Sequence, residues 1–330
     1  MGRRTNLALA LLLSLAVVSG LASQAIGVDW ALDLTVVHGV IALAIVGLAP
    51  WKTRIVRRGL GRRRQGRVLS LTLLALVLVT LLSGLAHSHG VLQTIGPLTV
   101  MQVHVGAGVS ALGLVVDHYR RHPVKPRLVD LDRRVFLRGA TLTAAASFLW
   151  LGWEGALQAV TAPGKDRRFS GAHARASHDP SGLPTTSWLN DTIPRIEPGA
   201  WSLDVAGRSL TLGDLENMPQ DTLSAVLDCT GGWFSEQEWT GVRLDRLLEA
   251  AGWRSFVVWS ETGYSRRFPV RDLSSTWLVT KVGGEPLSAG HGFPARIVAP
   301  ARRGFWWVKW VSRLEQSSVP WWVQPPFPLT

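Results

Sequence analysis

Five long apolar runs dominate the first half of the chain, at roughly 7–26, 31–50, 68–88, 98–117 and 136–159. Each is near the ~20 residues that an apolar helix needs to cross a bilayer. Beyond residue 160 the pattern changes to short alternating runs. "WSLDVAG", "TLSAVLDC", "SFVVWSE", "TWLVTKV", "ARIVAP" and "WWVKWVSRLE" have the two-residue period of half-buried strands. "RLDRLLEAAG" reads as a short amphipathic helix stopped by Gly252. Between the two regimes the chain is rich in Pro, Gly, Ser, Thr and Asp. The pattern predicts an α-helical membrane bundle of about five transmembrane helices over 1–160 and a linker over 161–184. An α+β domain with a mostly antiparallel or mixed sheet follows over 185–330.

Charge refines this picture. The net charge is +12, yet residues 139–330 carry 18 basic and 18 acidic side chains. The excess lies at Arg3 and Arg4, in the stretch 52–67 with eight basic residues and no acidic one, and in 117–138. These stretches are the N-terminus and alternate loops of the bundle. The positive-inside rule therefore predicts a multi-pass protein of the cytoplasmic (cell) membrane. Its N-terminus is expected inside and its C-terminal domain on the extracytoplasmic side. A cleaved first segment would leave the same topology. The same distribution argues against nucleic acid as a partner, because the soluble region carries no net charge.

Histidines inside apolar segments are costly and usually functional. His38 and His104 lie six or seven residues into the second and fourth segments from the expected outer side, and small residues follow both. Two neutral imidazoles at equal depth suit bis-histidine ligation of a b-type haem. His87, His89 and His118 are alternative ligands, and His122 is the available partner for a second haem beside His118. Hydrogen-bonding between helices would account for the same histidines without a cofactor.

Cys229 is the single cysteine, which excludes an internal disulfide and multi-cysteine metal sites built from this chain alone. It ends a predicted strand, where "TGG" breaks the structure. A buried structural thiol, a nucleophile and a single thiolate ligand to a soft metal are all open at this point. Downstream, "HGFPARIVAPARRGFWWVKW" gathers His291, Arg296, Arg302, Arg303 and Lys309 into an expected anion site.

"LDCTGGW…WTGVRLDRLLEAAG" and "HGFPARIVAP…GFWWVKW" together resemble the sulfite-oxidase-type molybdopterin domain, over about residues 185–320. The resemblance implies a molybdopterin-dependent oxidoreductase that performs oxygen-atom transfer on a small-molecule substrate. It implies Cys229 as the molybdenum ligand. It also implies a pterin held by Asn190, His291, Arg296, Arg303, Trp307, Val308 and Lys309. The helical half is similar to the haem b anchors that accompany such domains in bacteria, which implies electron exchange with a quinone or another membrane carrier. Cofactor insertion before export would make Arg133, Arg134, Phe136 and Leu137 a twin-arginine signal. The chain departs from animal and plant sulfite oxidases in having no tyrosine after Tyr264, and Thr230 and Gly231 follow the cysteine where many relatives carry polar or charged groups. Arg266, Arg267, Glu236 and Glu238 are candidate substrate-side charges. Two competing readings are a non-catalytic binding module with the pterin-domain fold on a membrane anchor, and a molybdoenzyme whose helices only anchor it.

Overall fold

A computed structural model describes residues 2–60, 67–121, 123–188 and 191–328. It divides into two compact units, Met1–Gln24 with Asp29–His173, and Ala25–Val28 with Ala174–Thr330.

The first unit is built on α1 (Gly2–Ala25), α2 (Ala31–Leu60), α3 (Arg67–His89), α4 (Val100–Arg121) and α5 (Arg133–Ala159). All five are long and apolar enough to cross a bilayer. Their outward faces are apolar too: Val18, Leu82, Phe148 and Leu151 are each more than half exposed. Glycines set the close approaches. A Cβ at Gly39 would collide with the Trp150 ring, and one at Gly47 would lie 2.8 Å from Leu142 Cδ1, so α5 seats on α2. At the basic end, Arg3 pairs with Asp130 and Arg4 with Asp132 at 2.8 Å. Asp132 also caps α5 by accepting from Val135 N. At the other end, Arg167 pairs with Glu154 at 2.6 Å and donates to Ser88 O, which folds the segment after α5 back onto α3.

The second unit is sheet-rich. Its strands are β1 (Ser202–Val205), β2 (Arg208–Thr211), β3 (Asp221–Cys229), β4 (Trp233–Arg243), β5 (Ser255–Ser260), β6 (Ser265–Pro269), β7 (Trp277–Val282), β8 (Glu285–Pro286), β9 (Arg296–Val298) and β10 (Val311–Ser317). In one sheet the hairpin β3–β4 runs in register from Asp221↔Gly241 to Cys229↔Trp233. β7 pairs with the other edge of β4 and carries β8 and β9. The other sheet has the order β2-β1-β10-β5-β6, antiparallel except for β1 with β10. Trp239, Leu278 and Ile297 of the first sheet, Phe256 and Phe268 of the second, and Leu244 are fully buried in one core of this unit. Gly241 sits at the bulge where β4 meets β7, and a Cβ there would strike Leu278 O and Val279 Cα.

Two expectations change. "RLDRLLEAAG" is a 3-10 turn over Leu244–Arg246 followed by irregular chain, because Leu244, Leu247 and Leu248 are pulled into the core at a strand end. "WWVKWVSRLE" becomes a strand only from Val311. Gly304–Trp306 forms a 3-10 turn instead.

Candidate active site around Cys229

Cys229 ends β3, and its tight turn into β4 uses Gly232 at φ 86°. The thiol is buried and Sγ accepts from Gly231 N at 3.3 Å. Burial pushes its pKa up, while the Gly231 N–H and Arg303 pull the other way. A raised pKa makes a poor free nucleophile but still suits a ligand that a metal would deprotonate.

The main chain beside the cysteine is locked. Asp228 and Arg303 form a buried ion pair at 2.5 Å, and Arg303 Nη2 donates to Cys229 O at 3.3 Å. Gly304 packs within 3.2 Å of Cys229 Cα, measured from where a Cβ would stand. Arg303 thus acts on the backbone that presents the thiol. Arg303→Ala leaves Asp228 buried without this partner and should cost about 3–5 kcal/mol, read as a lowered melting temperature. Replacing both partners with apolar residues of similar size should recover most of the loss.

The downstream stretch brings two cations, Arg296 and Lys309, together with His291, whose burial lowers its pKa. Arg296 is buried, stacked on Trp239 and Trp307, and donates to His291 O at 3.1 Å and Trp307 O at 3.4 Å. Its Nε has no hydrogen-bond partner among the described residues. Lys309 Nζ donates to Gly290 O at 2.6 Å and Thr186 O at 2.9 Å. His291 donates from Nε2 to Leu183 O at 2.9 Å, and its Nδ1 meets Ser288 Oγ at 2.9 Å. Among the described residues no carboxylate lies within ion-pair distance of Arg296 or Lys309. Burial pulls Arg296 down to about 9, and burial with Arg296 nearby pulls Lys309 down to about 7. Buried cations without counter-charge are costly, so the arrangement fits an anion such as a pterin phosphate. A cavity of about 420 Å³ opens on Ala289 and Phe293 of the same loop and on Ile193–Glu197.

Lys309 carries a pH signature. The unfolded chain binds its proton up to the ordinary lysine value, whereas the folded site releases it near 7. Stability of the cofactor-free protein therefore rises with pH above 7. Cys229 opposes this only as unfolded thiols ionise, near about 8.5. Thermal melts should show a rising midpoint between about pH 7 and 8 that Lys309→Met flattens.

Other expected residues are placed as follows. Trp307 and Val308 are buried on the Arg296 loop. Asn190 and His122 lie outside the described residues. Tyr264 is buried and donates to Phe305 O. Arg266 is buried over Trp306 and donates to Pro325 O, and Arg267 binds Ser255 and Ser317. Glu236 accepts from Ser224 on the neighbouring strand, and Glu238 is exposed.

In the first unit His38 and His104 meet, with ring centroids 5.9 Å apart and planes at 83°. His87 Nε2 donates to Gly171 O at 2.8 Å and its ring touches His173. His89 leans on Trp153. His118 lies in the last turn of α4. Asp228 and Trp239 lie within the quoted "LDCTGGW…WTGVRL" stretch without having been singled out, and Thr186, in irregular chain, joins the site with no sequence signal.

Known proteins share the second unit. The family described as "Oxidoreductase molybdopterin binding domain" matches residues 190–322. Mitochondrial sulfite oxidase of Rattus norvegicus is 27% identical over 38% of this chain and 31% of its own length. The "Uncharacterized oxidoreductase YuiH" of Bacillus subtilis (strain 168) is 29% identical over 35% of this chain and 64% of its own. The chain thus spans about a third of the length of the sulfite oxidases it matches. The solved sulfane dehydrogenase SoxCD from Paracoccus pantotrophus is 26% identical over 38% of this chain and 40% of that one, at a TM-score of 0.35, too slight to bear on the fold. The second unit is an oxidoreductase domain of the molybdopterin-binding, sulfite-oxidase-like type.

Proposed function

We propose that the chain is a membrane-bound molybdenum oxidoreductase that transfers an oxygen atom to or from a small extracytoplasmic substrate. Cys229 is the protein ligand of molybdenum. His291, Arg296, Lys309 and the main chain at Trp307 and Val308 hold the pterin and its phosphate, with Asn190 as a further contact and Arg303 supporting the cysteine. The observation that carries this reading is a buried thiol within electrostatic reach of the buried Arg296 and the half-buried Lys309, neither of which has a carboxylate at ion-pair distance among the described residues. Bound molybdenum would supply the two-electron oxygen-transfer chemistry. The protein's own groups would orient the cofactor and keep water from it.

The five helices are read as spans of the cytoplasmic membrane, with the N-terminus inside. Arg133, Arg134, Phe136 and Leu137 are exposed at the start of α5, as a twin-arginine signal requires. His38 and His104 would hold a haem b, which when bound would supply one-electron exchange with a quinone. The fit is specific. Each Nδ1 donates to a carbonyl, His38 to Ala16 O at 3.0 Å and His104 to Thr80 O at 2.8 Å. Each Nε2 is thereby left with the lone pair a metal takes. Two imidazoles on one metal, at roughly 2 Å per bond, bring their centroids to about 6 Å, close to the observed spacing. Reducing the intact protein and following haem reoxidation by sulfoxides, N-oxides and oxyanions tests the whole reading. A purified protein with neither molybdenum nor redox turnover would leave a binding module instead.

A further inference from the structure

The two histidine sites have the same construction. Ser19-Gly20-Leu21-Ala22 on α1 recurs as Ser83-Gly84-Leu85-Ala86 on α3, and a histidine follows each glycine on the next helix, His38 and His104. A Cβ at Gly20 would lie 3.0 Å from His38 Cε1, and one at Gly84 3.1 Å from His104 Cε1. Each ring donates from Nδ1 to the carbonyl four residues before its glycine, Ala16 or Thr80. In a helix that carbonyl lies one turn below the glycine on the same face. Each glycine therefore opens the slot into which the Cε1–Nδ1 edge of the ring fits and from which it reaches its acceptor.

The copies differ at the serine. Ser19 Oγ lies 3.1 Å from His38 Nδ1 as a second acceptor, and donates onward to Leu15 O at 2.7 Å. Ser83 Oγ makes the same two helix donations as Ser19, to Val79 O and Thr80 O where Ser19 reaches Leu15 O and Ala16 O, and the difference is the added contact of Ser19 Oγ with the His38 ring. The repeat also accounts for a single site. Fourteen residues after His104 comes His118, whereas the equivalent position after His38 is Lys52, which donates to Asn6 Oδ1 at 3.0 Å.

We propose that the first unit is a duplicated helical hairpin whose two copies each contribute one imidazole that would hold a shared haem, with Gly20 and Gly84 as the positioning residues. Ser19 makes the two ligands electronically unequal, because a second acceptor on Nδ1 raises the basicity of His38 alone. The inference rests on the haem reading above.

The test uses full-length protein in detergent or nanodiscs and reads haem per chain, low-spin resonance signature and reduction potential. Gly20→Val and Gly84→Val should each lower haem occupancy at least about tenfold, the range seen when the outer support of a metal ligand is lost. Gly113→Val, on α4 where a Cβ meets nothing within 4 Å, should leave it unchanged. Ser19→Ala should raise the potential and shift the resonance signature, since it weakens the donation that favours the oxidised iron, and Ser83→Ala should do neither. Full occupancy and an unaltered potential in both glycine variants, or equal effects of the two serine variants, would overturn the inference while leaving the haem in place. An unaltered protein without haem would overturn the haem reading itself.

Discussion

Cys229→Ser removes molybdenum from the protein, from about one atom per chain to a background level, while the fold persists. The serine oxygen is nearly isosteric with the thiol, so the β3–β4 turn keeps its shape. That turn is held by Gly232, by the Gly304 packing and by the Asp228–Arg303 pair, none of which uses Sγ. What is lost is a soft thiolate for a hard hydroxyl that stays protonated at neutral pH. Elemental analysis beside a thermal melt reads both halves of the result. Molybdenum retained at the unaltered level would remove the cysteine from the metal site. Removing Lys309 or Arg296 instead should weaken cofactor retention without abolishing the thiolate bond, because those groups face the anionic pterin.

His104→Ala, and equally His38→Ala, lowers haem per chain at least about tenfold and leaves molybdenum in place. The argument is geometric: the two rings are 5.9 Å apart and each has its Nδ1 hydrogen committed to a carbonyl of another helix. One imidazole alone would hold the group by a single protein ligand instead of two. His87→Ala should leave haem occupancy untouched, since its Nε2 already serves Gly171 O and its ring serves His173. Pyridine haemochrome assay and the reduced-minus-oxidised spectrum measure the difference. Molybdenum that can no longer be reduced by a quinol analogue in the His104 variant would place the haem on the path between the two. Reduction at the normal rate would make the helices an anchor only.

Period and spacing made much of this legible in advance. The five apolar runs emerge as five helices because a segment of ~20 apolar residues satisfies its own backbone hydrogen bonds locally. The pairing of His38 with His104 followed from equal depth, a one-dimensional quantity that the rise per residue supplies. Cys229 and the cationic stretch stood out by residue type alone. The missed elements share a cause. β4, "WFSEQEWTGVR", has polar residues on both faces, and β2 and β6 are short, so alternation was too weak to mark them.

By itself, then, the chain determined its two-part architecture, the helix count and which residue types could do chemistry, since these depend on local periodicity and composition. Only the tertiary structure decided who meets whom. It turned a predicted helix at 243–252 into a 3-10 turn because core burial of Leu244, Leu247 and Leu248 outweighed helix propensity. It drew Arg303 onto Asp228 and left Arg296 and Lys309 without a carboxylate at ion-pair distance among the described residues, because pairing across 75 residues of chain depends on how the strands stack. It also showed why Gly20 and Gly84 are glycines: a missing side chain has meaning only when the ring that fills its space is known.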